Sequence, residues 1–141
     1  MKPVCLVVGA GAGIGGTVGK RFAEEGYHSV LCRRSDEGGL NRLVANIKEG
    51  GGEASGFLLN AVEENSIEER VAQIELEIGP IEVVVFNLGA QVGNRKLDET
   101  TYKVFELGWR MATFALFRLS LIHISEPTRR TPISYAVFCL K

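Results

Sequence analysis

The chain has 141 residues, of which 45% are hydrophobic and 23% are charged, and its formal net charge is -1. This length is enough for one hydrophobic core and is short for two domains. The composition excludes an intrinsically disordered chain, and the nearly balanced charge gives no indication of nucleic-acid binding.

The amino-terminal segment predicts a buried strand and no targeting signal. Residues 4–8, VCLVV, form a short apolar run that ends at glycines, which is typical of a strand buried on both faces of a parallel sheet. The segment lacks the basic region and long apolar stretch of a signal peptide, and no run reaches the roughly 18 apolar residues of a membrane span. We therefore expect a cytoplasmic protein that does not enter a membrane.

Helices and strands alternate over the following part of the chain. A helix is predicted from Ile14, because Val18 and Phe22 follow at four-residue spacing and Gly26 ends the pattern. Three further strands are predicted, in residues 28–32 (HSVLC), towards the end of 53–59 (EASGFLL) and in 82–87 (EVVVFN).

Two helices are predicted between these strands. Residues 35–37 (SDE) supply a cap and first-turn acid for the second helix, which the glycines at 50–52 end. Ser66 and Glu69 predict a capping box for the third helix, which ends at residues 79–80 (GP).

A last helix is predicted from about Asp98 past Ala112. One side of it carries Phe105, Trp109, Ala112 and Leu116. Strands that alternate with helices of this length indicate an α/β protein with right-handed crossovers. We therefore predict a doubly wound fold, with a parallel sheet of about four strands and flanking helices.

The segment VVGAGAGIGG after the first strand has the glycine content of a phosphate-binding turn. Gly11, Gly13 and Gly16 fit G-x-G-x-x-G, whereas Gly9, Gly13 and Gly15 fit a pattern that begins where the strand ends. Such a turn must start at the strand end if its amides and the next helix are to face a pyrophosphate, so we favour the second set. The alternative is a turn whose glycines serve only tight packing.

The end of the second strand selects the nucleotide. NAD and FAD sites generally present Asp or Glu to the ribose hydroxyls there, whereas this chain has Arg33 and Arg34. A guanidinium favours a 2′-phosphate, so we predict NADP as the cofactor. The alternative for Arg33 is a solvated basic residue at a strand end. Asp36 leaves NAD possible.

These residues resemble the short-chain dehydrogenase/reductase superfamily, over residues 3 to about 118. The resemblance implies a truncated doubly wound Rossmann fold whose parallel strands have the order 3-2-1-4. The family's T-G-x-x-x-G-I-G motif is similar to residues 8–15, its third-strand D-V to Asn60-Ala61, and its N-N-A-G to residues 86–89 (FNLG). Carried onto this chain, the resemblance and the strand-end arginines imply a cofactor-binding set made of Gly9, Ala12, Gly13, Ile14, Gly15, Arg33, Arg34, Asn60, Ala61, Asn87 and Gly89.

The resemblance also implies hydride transfer between NADP and a small-molecule alcohol or carbonyl. In the family a Ser, and a Tyr followed four residues later by a Lys, handle the proton. This chain has no Y-x-x-x-K, and Gly108 stands where the family has an Asn on its fourth helix. We therefore assign no catalytic residue and expect the chain as written to be inactive. His28 and His123 share no face with a second ligand, so we assign no metal site.

Two other functions remain open for the parent protein, which we expect to be a homo-oligomer because the superfamily usually associates through its fourth and fifth helices. The first is a non-catalytic dinucleotide-binding or sensor protein of the same fold, which Phe86, Leu88 and Gly108 favour by departing from the family pattern. The second is a purely structural α/β domain.

Residues 119–141 differ from the rest of the chain. LSLIHISEPTR (119–129) resembles the translation of a transposase sequencing adapter, and ISYAVFCL (133–140) that of the flow-cell end of the same library. We expect residues 1–118 to be the amino-terminal part of an NAD(P)-binding Rossmann domain and 119–141 a non-native tail. The fourth strand is then expected to have an unpaired edge and the last helix an exposed face. The alternative is a genuine carboxyl-terminal arm.

Overall fold

The computed structural model describes residues 1–89, 96–124 and 137–139, and in that part of the chain five strands form one sheet. The strands are β1 (Val4–Val8), β2 (His28–Arg33), β3 (Glu53–Leu58), β4 (Ile81–Phe86) and β5 (Val137–Cys139). Their order is β3-β2-β1-β4-β5, and the neighbours among the first four run parallel. The predicted α/β class and the order 3-2-1-4 are confirmed.

Helices connect the strands and cover both faces of the sheet. They are α1 (Ile14–Glu24), α2 (Glu37–Glu49), α3 (Ser66–Glu77), α4 (Tyr102–Trp109) and α5 (Ala115–Ile124). A short 3-10 turn, Leu97–Glu99, precedes α4, and a π-helical turn, Arg110–Phe114, joins α4 to α5. No helix in the described ranges has the length and apolar character needed to cross a membrane.

The central strand β1 divides the core into two layers. Every residue of β1 is buried, and alternate side chains face opposite sides of the sheet. Leu6 packs on the side of α3 and α5, and Val7 packs on the side of α1 and α2. Since β1 to β4 are parallel, their carboxyl ends meet at one edge of the sheet, where the predicted motifs lie.

The buried face of α1 differs from the predicted one. Ile14 is 71% exposed, and Val18 and Phe22 are only partly buried. The fully buried positions are Gly15, Gly16, Gly19 and Ala23. A Cβ on Gly19 would lie 2.4 Å from Cδ2 of Leu31, so the missing side chain lets α1 lie close to the sheet. The apolar spacing identified the helix but not its face, because glycine adds nothing to an apolar pattern.

The predicted capping box of α3 is wrong. Asn65 is the N-cap residue, and Ser66 is the first residue of the helix. The Ser66 hydroxyl donates to the carbonyl oxygens of Asn60 at 2.8 Å and Glu63 at 2.9 Å. It therefore ties the helix to the loop after β3. The amide of Glu69, which the predicted box would have bonded to Ser66, donates to the carbonyl oxygen of Asn65 at 2.9 Å instead.

Phe105 and Trp109, which were predicted to share one side of the last helix, lie on its exposed face. The α-helix begins at Tyr102, and Phe105 and Trp109 are 69% and 48% exposed. The buried residues are Ala115 and Leu119, which join the core beside α3. The π-helical turn inserts extra residues into the helical path, so a spacing of 3.6 residues extrapolated from Phe105 crosses to another face.

The expected unpaired edge of β4 is a further incorrect prediction. β5 pairs antiparallel with β4, with Val83 opposite Cys139 and Val85 opposite Val137. The edge of β4 has backbone amides and carbonyls that need hydrogen-bond partners, and residues 137–139 of the tail pair with three residues of this edge. The expected exposed face of the last helix is present, as the exposure of Phe105 shows.

Candidate functional site

A cleft of about 520 Å³ lies at the carboxyl ends of the parallel strands, where doubly wound sheets bind their ligands. The predicted residues that line it are Gly9, Arg33, Arg34, Asn60, Ala61 and Gly89. The remaining lining residues, which the sequence reasoning did not single out as site residues, are Gly11, Ser35, Leu59, Val62, Leu88, Val104, Leu107 and Met111. The fold therefore brings motifs from all four parallel strands to one place.

The loop between β1 and α1 requires glycine at two of the predicted positions. Gly9 has a φ of 95°, and a Cβ there would lie 2.5 Å from the carbonyl oxygen of Asn87. A Cβ on Gly15 would lie 2.4 Å from the carbonyl oxygen of Gly9. The amides of Gly9 and Ala10 both donate to the carbonyl of Cys32 at 2.9 Å. The loop is thus held against the end of β2.

The start of α1 offers amide groups to a ligand. Gly13 is the N-cap residue, and open space surrounds the position that a Cβ would take there. Gly16 and Thr17 donate their amides to the carbonyls of Gly11 and Gly13, whereas the amides of residues 12–15 have no backbone acceptor within the described ranges. The first turn also contains no acidic residue. This end of α1 therefore suits a phosphate group.

The predicted residues Ala12, Gly13, Ile14 and Gly15 lie just before α1 and in its first turn, and they do not line the cleft. Their backbone amides, and not their side chains, are the groups that this helix end offers to a ligand. Gly16 belongs to the glycine set that we did not favour. It too is closely packed, with a Cβ position 2.5 Å from the carbonyl oxygen of Gly11.

The two arginines at the end of β2 have different surroundings. Nη1 of Arg33 lies 3.1 Å from Oδ2 of Asp36. Oδ1 of Asp36 accepts the amide of Gly39 at 2.9 Å, so Asp36 is the N-cap residue of α2. The sequence predicted that residues 35–37 supply the cap and the first-turn acid, without assigning the cap to Asp36. Arg34 is exposed and forms no ion pair with any residue that the structure describes.

The loop after β3 is held in place from within and from α5. Asn60 accepts the amide of Val62 at 3.4 Å and donates to the Glu63 carboxylate at 3.0 Å. Arg118 donates to the carbonyl oxygens of Ala61 at 3.2 Å and Glu63 at 3.0 Å. A side chain of α5 therefore helps to shape one wall of the cleft.

Asn87 holds the glycine loop against the end of β4. Its side-chain amide donates to the carbonyl oxygen of Gly9 at 3.2 Å, and its backbone amide donates to Val8 at 2.8 Å. It does not line the cleft, although Leu88 and Gly89 next to it do. The predicted residue thus connects the end of β4 to the glycine loop.

The helical wall of the cleft is the part that sequence reasoning missed. Val104, Leu107 and Met111 line the cleft from α4 and the π-helical turn. They follow one another at spacings of three and four residues, which is the signal for one face of a helix. The signal was present, but the sequence reasoning noted only the side that carries Phe105 and Trp109.

Cys32 lies near the end of β2, where its carbonyl oxygen accepts the amides of Gly9 and Ala10. Cys32 is completely buried, and burial raises the pKa of its thiol to about 12. The thiolate form of Cys32 is therefore present in a negligible fraction at neutral pH.

In the part of the chain that the structure describes, no three His, Cys, Asp or Glu residues are grouped so that they could hold a metal ion.

Comparison with known proteins identifies one family. The sequence profile of the short chain dehydrogenase family matches residues 3–126. A fatty acyl-CoA reductase of Acinetobacter baylyi is 32% identical over 84% of this chain and 40% of its own length. A putative ketoacyl reductase of Streptomyces coelicolor is 36% identical over 64% of this chain and 34% of its own. The chain spans roughly a third to two fifths of the length of these relatives.

Solved structures agree with this result. A short-chain dehydrogenase from Rhodopseudomonas palustris superposes with a TM-score of 0.76 at 36% identity, over 86% of this chain and 59% of its own. A variant of actinorhodin polyketide ketoreductase with NADPH gives a TM-score of 0.77 at 29% identity, over 85% of this chain and 45% of its own.

Proposed function

The chain belongs to the short-chain dehydrogenase family, and from that premise we propose that the complete protein is an NADP-dependent oxidoreductase acting on a small alcohol or carbonyl compound. The observation that carries the proposal is the position of the glycine loop and of Arg33 and Arg34 around one cleft. The similarity to a ketoreductase that binds NADPH supports the choice of coenzyme.

The residues of the cleft fit such a dinucleotide. Gly9 and Gly15 let the loop pack closely against the end of β4 and against itself. The loop so held leads into the start of α1, whose amides suit a pyrophosphate. The strand-end arginines suit a 2′-phosphate, and we assign Asn60 and Ala61 to the adenine side. When it is bound, the coenzyme supplies or accepts a hydride at its nicotinamide ring.

Calorimetric titration of the chain with NADPH and NADH tests this assignment. We expect NADPH to bind more tightly, and we expect the difference to disappear when Arg33 and Arg34 are both replaced by alanine. Equal affinities of the unmodified chain for the two coenzymes contradict the choice of NADP.

We assign coenzyme binding, and not proton transfer, to these 141 residues. The family's Tyr and Lys have no counterpart here, because Tyr27, Tyr102 and Tyr135 are followed four residues later by Leu, Glu and Cys. The chain by itself is therefore expected to bind NADPH without oxidising it. An assay with NADPH and simple aldehydes or ketones tests this, and steady carbonyl reduction contradicts it.

The second candidate function is a dinucleotide sensor of the same fold. The apolar lining that Leu88, Leu107 and Met111 give the cleft favours it, because none of these side chains can exchange a proton. The gene sequence beyond codon 118 separates the candidates. A Ser followed by Y-x-x-x-K supports the oxidoreductase, and the lack of both supports the sensor.

Self-association is part of the proposal. Trp109 and Phe114 stack at 5.1 Å between ring centroids, Phe114 and Phe117 lie 6.4 Å apart, and all three are substantially exposed. Such an aromatic surface suits a second copy of the protein. Light scattering should therefore give a mass at least twice that of one chain, which is 15.4 kDa.

A cytoplasmic location likewise remains a prediction, which cell fractionation tests.

The boundary at residue 118 also remains a proposal. The family profile extends to residue 126, α5 continues to Ile124, and Leu119 is 2% exposed in the core. The proposal rests on the adapter-like sequences of 119–129 and 133–140. Independent sequencing of the gene across codon 118 tests the boundary. A gene whose own coding sequence continues into residues 119–141 contradicts it.

A further inference from the structure

We propose that Ser55 of β3 is a nucleophile that His28 of β2 activates, and that this pair hydrolyses small esters. The inference goes beyond the proposed function, because the pair lies at the opposite end of the strands from the cleft. His28 is the first residue of β2 and Arg33 is the last, so about 16 Å of strand separates them. Ester hydrolysis and coenzyme binding can therefore be tested independently.

The Ser55 hydroxyl and the His28 ring form a direct hydrogen bond. Oγ of Ser55 lies 2.9 Å from Nε2 of His28. Nδ1 of the same ring lies 3.5 Å from Oε2 of Glu53. A carboxylate beside Nδ1 favours the tautomer that carries its proton there, so Nε2 is left to accept the proton of the hydroxyl. A nucleophile, a base and an acid that orients the base form the arrangement that activates a serine.

The register of the sheet brings these three residues together. Glu53 lies directly opposite His28 on the neighbouring strand, and Ser55 is two residues further along β3. Side chains two residues apart in a strand share a face, and a diagonal neighbour on the next strand is within reach of a long side chain. The three side chains therefore lie on one face of the sheet, which is the face on which Phe57 packs against the core.

The surroundings keep the base neutral and the acid ionised. Burial lowers the pKa of His28, although Glu53 opposes this shift, and the charges of Lys48 and Lys2 add to it. The ring is therefore uncharged at neutral pH and can accept a proton. Nζ of Lys2 donates to Oε1 of Glu53 at 2.7 Å, and this hydrogen bond holds the pKa of the Glu53 carboxyl below its usual range.

The pair lies on the edge strand of the sheet and can be reached by a small molecule. The side chain of His28 is 19% exposed, and Ser55 is partly exposed. The amide of Leu59 donates to the carbonyl of Arg33 in β2, so by the two-residue period of a strand the amide of Gly56 faces the outer edge. The amide that follows the nucleophile can thus donate to the oxyanion that forms when an ester is attacked.

The reaction proceeds in two steps. Oγ of Ser55 bonds to the carbonyl carbon of the ester while its proton passes to Nε2 of His28. The ester C–O bond then breaks, and the departing alcohol takes that proton. Water next bonds to the acyl carbon and gives a proton to Nε2, after which the bond to Oγ breaks and Oγ takes the proton back. One ester and one water thereby give one carboxylic acid and one alcohol.

Hydrolysis of p-nitrophenyl acetate by the purified chain at neutral pH tests the proposal. Ser55→Ala and His28→Gln should each lower the rate about tenfold or more, because a positioned general base contributes roughly 100-fold or more. Glu53→Gln should also lower the rate, since it removes the charge that orients the ring. Glu49→Gln is the matched control, because it removes an exposed carboxylate at the same end of the sheet and should leave the rate unchanged. Thermal unfolding shows that each variant is folded.

Labelling with a fluorophosphonate gives a second readout that needs no variant. The reagent bonds through phosphorus to an activated serine as fluoride leaves, and mass spectrometry then locates the label. The tryptic peptide of residues 49–70 contains both Ser55 and Ser66, so Ser66 serves as an internal comparison. We expect the label on Ser55, because the Ser66 hydroxyl donates to two backbone carbonyls and has no base beside it.

Three results overturn the proposal. The first is a loss of less than about tenfold in Ser55→Ala or His28→Gln, or an equal effect of Glu53→Gln and Glu49→Gln. The second is a label that falls on Ser66 as often as on Ser55. The third is a chain that neither hydrolyses the ester nor takes up the label. If NADPH fails to bind, only the proposed coenzyme function is overturned, because the Ser55 group shares no residue with the cleft.

Discussion

Arg118 of α5 and Glu68 of α3 form a two-pronged ion pair, with Nε 2.9 Å from Oε1 and Nη2 2.5 Å from Oε2. The remaining nitrogen, Nη1, donates to the carbonyls of Ala61 and Glu63. The hydrogen bond from Arg118 holds the pKa of the Glu68 carboxyl below its usual range. One guanidinium therefore connects two helices to the loop that lines the cleft.

Replacing Arg118 by lysine should reduce the free energy of unfolding by about 1–2 kcal/mol, because an ammonium group cannot span two carboxylate oxygens and two carbonyls. Urea unfolding measures this loss, and hydrogen exchange at residues 61–63 should become faster. Arg110→Lys is the matched control, since the pair of Arg110 with Glu106 is more than half exposed on both sides. It should change stability by less than about 0.5 kcal/mol, and equal losses in the two variants would contradict the structural role of Arg118.

Stability should decline with falling pH because of His28. Burial lowers the pKa of His28 below its usual 6.5, despite the opposing effect of Glu53. The unfolded chain therefore takes up a proton before the folded one does. The stabilising contribution of neutral His28 is complete above about pH 6.5 and is lost as the pH falls through its lower folded pKa. The free energy of unfolding, measured with urea between about pH 7.5 and 5.5, should fall less steeply with decreasing pH in His28→Gln than in the unmodified chain. An equally steep fall in the two proteins contradicts the prediction.

Two glycines of the loop should respond differently to alanine. Gly15→Ala places a Cβ 2.4 Å from a backbone oxygen, so it should reduce stability by about 1–3 kcal/mol. Gly13→Ala meets no atom within 4 Å and should leave stability within about 0.5 kcal/mol of the parent. It should nevertheless weaken NADPH binding, because the methyl group stands at the start of α1. Unchanged binding by the Gly13 variant would remove the helix end from the site.

Cys32 should be unreactive in the folded protein. The thiol has a pKa of about 12 and is inaccessible, so iodoacetamide at pH 8 should not modify it. In urea the same residue should react completely, which peptide mass spectrometry detects. Modification of Cys32 in the native protein at the rate of the unfolded chain would mean that the end of β2 opens.

Strand positions were the part of the fold most readily predicted from sequence. The runs around Val7 and Val84 are continuously apolar because both faces of those strands are covered, and short runs of that kind are typical of strands in parallel sheets. The strand order was implied by the family resemblance, and right-handed crossovers leave few topologies beside it. The start of α2 was predicted within residues 35–37 because the hydrogen bond from Gly39 to Asp36 is local.

Features that depend on distant contacts were missed. Ser66 has the sequence context of a cap, but Asn65 is the N-cap residue, and the Ser66 hydroxyl donates to the carbonyls of Asn60 and Glu63. The burial of Ala115 and Leu119 was not predicted, because a π-helical turn before them changes the residue spacing. The pairing of residues 137–139 with β4 depends on a contact between remote segments.

The same distinction applies to the site. Gly9 and Arg33 were predicted because they lie at the carboxyl ends of strands, whereas Gly89 was implied by the family resemblance. Met111 was missed because the sequence reasoning assigned no helix face to the cleft. The unequal environments of Arg33 and Arg34 could not be read from two adjacent identical residues, since they depend on the ion pair between Arg33 and Asp36.

The most direct test of the coenzyme site is a titration of the isotopically labelled chain with NADPH, followed by the backbone amide signals in nuclear magnetic resonance. The account predicts that the largest shifts occur at residues 9–15 and at Arg33, Arg34 and Asn60, with little change at the amino-terminal edge of the sheet around His28. Saturable binding whose shifts avoid the glycine loop, or no shifts at millimolar NADPH, would contradict it.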